Sequence, residues 1–291
     1  MGVRFPHAGP VILMLALAFP AFAKKTQVAS HVPQAHAVLL FDHKTNKIVE
    51  GQDVYTTFPI ASITKVMTAY VVLETKLDLD EKIKVVPLTV EQSHNLKNGT
   101  MVTRRELLTL ALIASDNKAA RLLAESHPSG YSEFMAIMNS TAKSLNMNST
   151  HFNDPSGLSV FNVSTAWDLH LLNRAVTKYS IFSDAAMSKT ANPQAETRVG
   201  KIYKFIIRNT SALAGEYDLL VGKTGFTNAA RWCISMQVRS AGTAFDVIIL
   251  GSPNKQVRNE LAKSLIKQQV GRLVSASAML NIEQIDYNDA R

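Results

Sequence analysis

His36-Ala37-Val38-Leu39-Leu40-Phe41-Asp42, His43-Lys44-Thr45-Asn46 and Lys47-Ile48-Val49-Glu50 read in turn as a strand, a turn and a returning strand. A sheet therefore begins at the start of the folded chain. Strand signals return near its other end, where Asp218 to Phe226, Trp232 to Val238 and Phe245 to Leu250 are short, β-rich and separated by turn residues. The stretch between is helical. Ser62 to about Lys76 carries Ile63, Val66, Met67, Tyr70 and Val71 at three- and four-residue spacing. Thr103-Arg104-Arg105-Glu106 is a capping box ahead of Leu107, Leu108 and Leu110 to Leu112. Ala114 to Asn117 interrupts that helix before Lys118 to Glu125 resumes it, and further helices fit Ser132 to Leu145 and Thr165 to Tyr179, on either side of the turn-rich Asn153-Asp154-Pro155-Ser156-Gly157. Asn254 to Val270 reads as a closing helix. The order hairpin, helices, β-meander, helix predicts one α/β domain: a central antiparallel sheet formed from both chain ends, flanked by helices, with a helical lobe inserted.

Upstream of the hairpin, Arg4 and His7 precede an apolar run from Val11 to Phe19 and then Ala21-Phe22-Ala23, a small-x-small cleavage pattern. This predicts a secretory signal peptide over residues 1–23, a catalytic domain over 24–275 and a tail over 276–291. An exported chain with a single cysteine, Cys233, does not rely on disulfides, which suits a bacterial periplasm. One cysteine also excludes every Cys-rich zinc module. Of 291 residues, 46% are apolar and 19% charged, which excludes disorder and leaves room for a sizeable core. Without Arg4, 30 basic side chains face 23 acidic ones, a net charge of +7 that favours anionic surroundings such as a cell wall. The basic residues are scattered and not interleaved with aromatics, so nucleic acid is not an expected partner.

No His-Glu-x-x-His, Gly-x-Ser-x-Gly or P-loop is present, and the eight histidines are spread singly. The expectation is no metal and no cofactor. One spacing does carry mechanism. Ser62-Ile63-Thr64-Lys65 sets a hydroxyl at a helix N-terminus and an amine one turn later on the same face. A deprotonated lysine can activate the serine, although its pKa must fall from about 10.4 toward roughly 7–8. Burial and a second nearby cation both push it that way. Ser-x-x-Lys recurs at Ser115, Ser140, Ser252 and Ser264, so the spacing alone decides nothing. Ser62 is singled out by the motifs downstream of it and their order: Ser115-Asp116-Asn117 interrupting a helical lobe, then Lys223-Thr224-Gly225 on an expected strand.

With those three motifs in that order the chain resembles the active-site serine penicillin-recognising enzymes. Pro59 to Lys65 and Lys223 to Ala230 are similar to the low-molecular-mass D-alanyl-D-alanine peptidase branch, and His151 to Leu158 together with Phe226 to its endopeptidase members. The resemblance implies a β-lactamase/DD-peptidase-like fold and gives each matching residue a role. Ser62 would attack the D-Ala carbonyl and Lys65 take its proton. Ser115 would relay that proton to the leaving amine, and Asn117 would hold the substrate amide and orient Lys65. Lys223 and Thr224 would bind the carboxylate beside the scissile bond, with Lys223 as the second cation. Gly225 would let its strand approach the substrate backbone, and the N–H groups of Ser62 and Phe226 would form the oxyanion hole, each such donor being worth about 2.7–4 kcal/mol.

The implied function is hydrolysis of D-alanyl–diaminopimelate cross-links in peptidoglycan stem peptides, with β-lactams acylating the same serine. D-alanyl-D-alanine carboxypeptidase action and a non-enzymatic penicillin-binding sensor are the alternatives. A β-lactamase is disfavoured, because Leu169-His170-Leu171-Leu172-Asn173 has leucine where that family's Glu-x-x-Leu-Asn element needs its carboxylate. Asp116 is expected to hold its loop, Cys233 to be a buried apolar residue and Pro155 and Gly157 to serve a turn. Arg231 stands where the branch usually has glycine and is read as a surface residue. The larger carboxypeptidases append a β-rich domain and an amphipathic anchor. The chain ends at Arg291 before either, so at most loose membrane or wall association is expected.

Overall fold

The structure is a computed structural model and describes residues 1–2, 35–88 and 93–289. The chain divides into two compact units, Met1–Val32 and Pro33–Arg291. The second holds the sheet, the helices and every expected site residue. The apolar run and cleavage pattern of the expected signal peptide lie outside the described residues.

The hairpin and the meander meet in one five-stranded sheet. Its strands are β1 (Ala37–Asp42), β2 (Lys47–Gln52), β3 (Leu219–Thr227), β4 (Arg231–Ser240) and β5 (Thr243–Ser252), in the order β3-β4-β5-β1-β2. Every neighbouring pair is antiparallel, and Ala37 to Asp42 pair with Leu250 to Phe245. All six residues of β1 are buried because both faces are covered. Ala37, Leu39 and Phe41 enter one core with Ile248 and Leu250, whereas Val38 and Leu40 enter the other with Phe245, Val247 and Ile249. The two-residue period of a strand thus splits one apolar run between two cores. The edge strand β2 is mostly exposed and carries Lys47, Glu50 and Gln52, which discourage pairing with another chain.

One core lies under the helical lobe: α1 (Thr64–Glu74), α2 (Arg104–Ile113), α3 (Asn117–Glu125), α4 (Gly130–Ser144), α5 (Ala166–Val176) and α6 (Ser180–Met187). The other lies under α7 (Lys255–Asp289), through Ala262, Leu265, Ile266 and Leu273. Helix α1 is buried on all sides from Thr64 to Val72 because α2, α3, α4 and α5 enclose it. Its lysine is therefore carried into the interior. Thr103 caps α2 by accepting from Glu106 N at 3.2 Å, as the capping box predicts. Thr165 and Asp116 cap α5 and α3 in the same way, each such cap contributing about 1 kcal/mol.

Three features differ from the sequence expectation. Helix α6 is two turns long with no side-chain cap and left no start signal. A four-stranded sheet joins Lys82–Lys84, Met101–Thr103, Gln194–Glu196 and Ile202–Lys204. Each of its strands is three residues long, too short for alternation to show. Helix α7 runs beyond Val270 into the expected tail, since no proline stops it. Among the described residues no helix is long and apolar enough to cross a membrane.

Candidate active site

Phe58–Pro59 pairs with Val163–Ser164 and delivers the chain to Ala61, which has a positive φ of 47°. A non-glycine residue held there costs about 1–3 kcal/mol and must be overdetermined by its surroundings. Two glycines do this. A Cβ on Gly157 would stand 2.0 Å from Ala61 O, and one on Gly225 would stand 2.7 Å from Ile60 O and 3.2 Å from Ser62 N. The turn Ala61–Ile63 is thus wedged between the 153–163 loop and β3. Gly157, read as a turn residue, does adopt a positive φ of 85° and also makes this close approach. For Gly225 the neighbour that a Cβ would crowd is the serine turn itself.

Ser62 Oγ accepts from Lys65 Nζ at 2.9 Å. The same amine donates to Asn117 Oδ1 at 2.8 Å and to the carbonyl oxygen of Ser156, and Lys65 is fully buried. Each partner comes from a different element. Asn117 is the first residue of α3, fixed by the Asp116 cap and by Ser115, which turns the chain with a φ of 57°. Asp116 also accepts from Asn95 Nδ2 at 3.1 Å and from Ser93 Oγ, in line with its expected holding role. Ser156 O is presented by a loop folded around Asp154, whose Oδ1 accepts from Ser156 N at 2.7 Å and Gly157 N at 2.6 Å and whose Oδ2 accepts from Ser159 N at 2.6 Å. Asn162 ties this loop to α1 by donating to Thr64 Oγ1 at 3.0 Å.

Lys223 sits across the cleft on β3, 1% exposed, donating to Ser115 Oγ at 2.9 Å and Thr224 O at 3.0 Å. Burial, then the neighbouring basic groups of Lys65 and Arg258, hold its amine well below the ordinary lysine range. Thr224 Oγ1 meets Thr210 Oγ1 at 2.8 Å. The competing Ser115–Lys118 spacing dissolves, because Lys118 is committed to Asn98 Oδ1.

Ser62, Ser115, Thr224, Gly225 and Phe226 line one cleft of about 330 Å³, closed by Thr210, Trp232, Lys255 and Arg258. Lys65, Asn117 and Lys223 lie behind it through the bonds above, so the structure brings all eight expected residues together. The residues lining the cleft include no histidine and no carboxylate. Phe226 is half exposed, its ring 4.2 Å from that of Trp232.

Two participants went unread in the sequence. Ser156 contributes a backbone oxygen, which no side-chain motif reports. Arg258 is buried beneath Trp232, donates to Cys233 O at 3.3 Å, and is pushed down by burial to about 10, so that it stays cationic at neutral pH. Its only sequence signal was an arginine early in the closing helix. Arg231 is exposed at the β3–β4 turn with a φ of 58° and does not line the cleft. Cys233 is fully buried on β4, its thiol pushed up to about 12 by burial. Leu169 is buried inside α5, so the lactamase-like element presents no acid to this cleft.

In sequence and in fold the chain is similar to known D-alanyl-D-alanine peptidases. The model of the peptidase S11 family, described as D-alanyl-D-alanine carboxypeptidase, matches residues 23–254. The chain is 38% identical over 239 residues to the D-alanyl-D-alanine endopeptidase of Escherichia coli (strain K12), covering 77% of this chain and 75% of that one. The Streptomyces K15 DD-transpeptidase superposes with a TM-score of 0.74 at 26% identity. Penicillin-binding protein D2 from Listeria monocytogenes, solved in its cefotaxime-bound form, superposes at 0.69 and 28%. Each superposition covers 80% of this chain and 96% of the other.

Proposed function

The chain belongs to the S11 family of D-alanyl-D-alanine peptidases, and on that premise we propose that it cleaves the D-alanyl–diaminopimelate cross-link of peptidoglycan through an acyl-Ser62 intermediate. It is a serine DD-peptidase. Endopeptidase action is supported by the relative of that name to which it is 38% identical over 239 residues.

The observation that carries the mechanism is the setting of Lys65. Its amine faces two obligatory acceptors, Asn117 Oδ1 and Ser156 O, and one hydroxyl, Ser62 Oγ. A neutral amine spends its two N–H groups on the two carbonyl oxygens and turns its lone pair to the serine, whose O–H then donates to it. Ser62 attacks the D-alanyl carbonyl as that proton moves to Lys65. The oxyanion forms beside Ser62 N and the backbone of Phe226, which Gly225 brings close together. Ser115, joined to Lys223, passes a proton to the departing amine. Lys223, Thr224 and Arg258 hold the carboxylate next to the scissile bond, and Asn117 the substrate amide. The cefotaxime-bound relative supports acylation of Ser62 by β-lactams. Export through cleavage after Ala23 is supported by a family match that begins at residue 23.

The test is to incubate the protein and its Ser62→Ala variant with cross-linked muropeptide dimers and with monomeric pentapeptides. Release of monomers from dimers by the wild type alone is the expected result. Loss of D-Ala from pentapeptides without dimer cleavage replaces endopeptidase with carboxypeptidase action, and penicillin labelling with no hydrolysis replaces the enzyme with a sensor.

A further inference from the structure

At the other end of the same sheet lies a second buried group of ionisable side chains, which the peptidase reaction does not use. Asp246 on β5 pairs with Phe41 and Gln237, several residues along the strands from the Gly225–Cys233 pair that floors the cleft. His43 follows β1 in the hairpin turn, and His170 projects from α5. Their ligand atoms and that of Asp246 all lie within 4.8 Å of one another.

The two carboxylate oxygens of Asp246 are used differently. Oδ1 accepts from Asn173 Nδ2 at 3.2 Å and Gln237 Nε2 at 3.1 Å. Oδ2 faces only imidazole nitrogens, His43 Nε2 at 2.9 Å and His170 Nδ1 at 2.5 Å. One oxygen held by amide donors and one turned to two imidazoles is the arrangement of a monodentate metal ligand with its supporting hydrogen bonds. His43 Nε2 is also in conflict, since Gln237 Nε2 stands 3.2 Å from it. If His43 carries a proton there, it faces the amide's N–H donors; if it does not, its lone pair faces the carboxylate. A cation between the three groups removes the conflict, because both imidazole lone pairs and Oδ2 then point at it and Gln237 serves Oδ1 alone.

We propose that His43, His170 and Asp246 bind a first-row divalent transition-metal ion, with zinc the best match to two imidazoles and one carboxylate. At zinc–ligand distances of about 2.0–2.2 Å, tetrahedral ligand atoms stand about 3.3 Å apart, so loading opens the two contacts to Asp246 Oδ2 by under about 1 Å each and sets the two imidazole nitrogens, now within 4.8 Å of each other, at the same spacing. His43 can supply that movement. It sits in a turn with 20% of its side chain exposed, whereas Asp246 and His170 are fixed inside. The same exposed side gives the ion its entry and a fourth position for water. Phe41 and Trp167 pack against the His170 ring at 4.0 and 5.2 Å and wall the site from solvent on its inner side. Bound metal would pin the hairpin turn to α5 and β5.

The test uses the full-length protein, stripped with a chelator and titrated with Co2+ and Zn2+, beside His43→Gln and His170→Gln variants checked for folding by circular dichroism. Expected are one zinc per chain after dialysis, visible d–d bands on Co2+ addition that zinc displaces, and a higher Tm with zinc. His43→Gln should lower zinc affinity about tenfold or more, with penicillin acylation of Ser62 unchanged. Zinc binding of equal strength in wild type and both folded variants, or no binding by the wild type, overturns the proposal and leaves a buried hydrogen-bonded network.

Discussion

The central sheet carries a buried charged group at each end, and the two are opposites. At the cleft, the ionisable neighbours that push on Lys223 are both basic, Lys65 and Arg258. At the far end, Asp246 is surrounded by donors: burial pushes its carboxyl up, but His170 and His43 outweigh that and hold it below the ordinary carboxylate range. Burial is complete in both places and both pKa values move down, which favours the neutral form of Lys223 and the charged form of Asp246. An ionisable group inside a protein is held toward its charged form when the walls are complementary and toward its neutral form when they are alike. Complementary walls support structure, and basic walls around a buried amine disfavour its ammonium form at the expense of stability.

Four substitutions test that contrast, in decreasing order of expected effect. Lys65→Arg places a permanent cation where a lone pair is needed, so penicillin acylation and dimer cleavage should fall by about 10²–10⁴-fold while circular dichroism stays unchanged. An active Lys65→Arg enzyme would show that Lys65 is not the base. Asp246→Ala strips the acceptor from two imidazoles and two amides in the interior, and urea unfolding should register a loss of about 3–5 kcal/mol. A loss below about 1 kcal/mol would mean that the far-end network adds little to structure. Gly157→Ala drives a Cβ into Ala61 O at a positive φ. It should destabilise by about 1–3 kcal/mol, with a larger proportional drop in acylation rate than Asp246→Ala causes. Equal acylation losses in the two variants would deny that the wedge shapes the serine turn.

The smallest effect on stability has the opposite sign. Lys223→Met removes a buried amine among cations and should raise stability by about 1 kcal/mol at pH 7 while abolishing turnover. Its pH dependence follows from the depressed folded-state pKa. Below that value both folded and unfolded chains are protonated and the folded state bears the full cost of a buried ammonium. Between it and about 10.4 the unfolded chain binds more protons, so wild-type stability rises with pH. The Tm advantage of Lys223→Met should therefore shrink between pH 7 and pH 10, and an advantage that grows over that range would refute the account.

Much of the fold and of the site is legible in the sequence. The sheet strands, the Thr103 cap and the Ser62–Lys65 spacing are local patterns, written in neighbouring residues and read by period and cap chemistry. The hidden remainder depends on partners far apart in the chain. Ser156 meets Lys65 from a different element through a carbonyl that every residue possesses. His43, His170 and Asp246 read as isolated residues because nothing in their sequence neighbourhoods points to one another. Glycines 157 and 225 could be flagged as points of close approach. Only packing identifies the shared backbone they approach, the turn that bears the serine.

The pairing of Ala37 to Asp42 with Leu250 to Phe245 has a consequence for biosynthesis. The first strand of the sheet finds its inner neighbour only when β5 has been made, after the whole helical lobe, so native topology closes late and long-range contacts dominate the folding barrier. A chain emerging from the ribosome cannot assemble a working cleft early, because β3 and Lys223 follow the whole helical lobe. Hydrolytic competence is thereby withheld until the meander has been made, by connectivity alone.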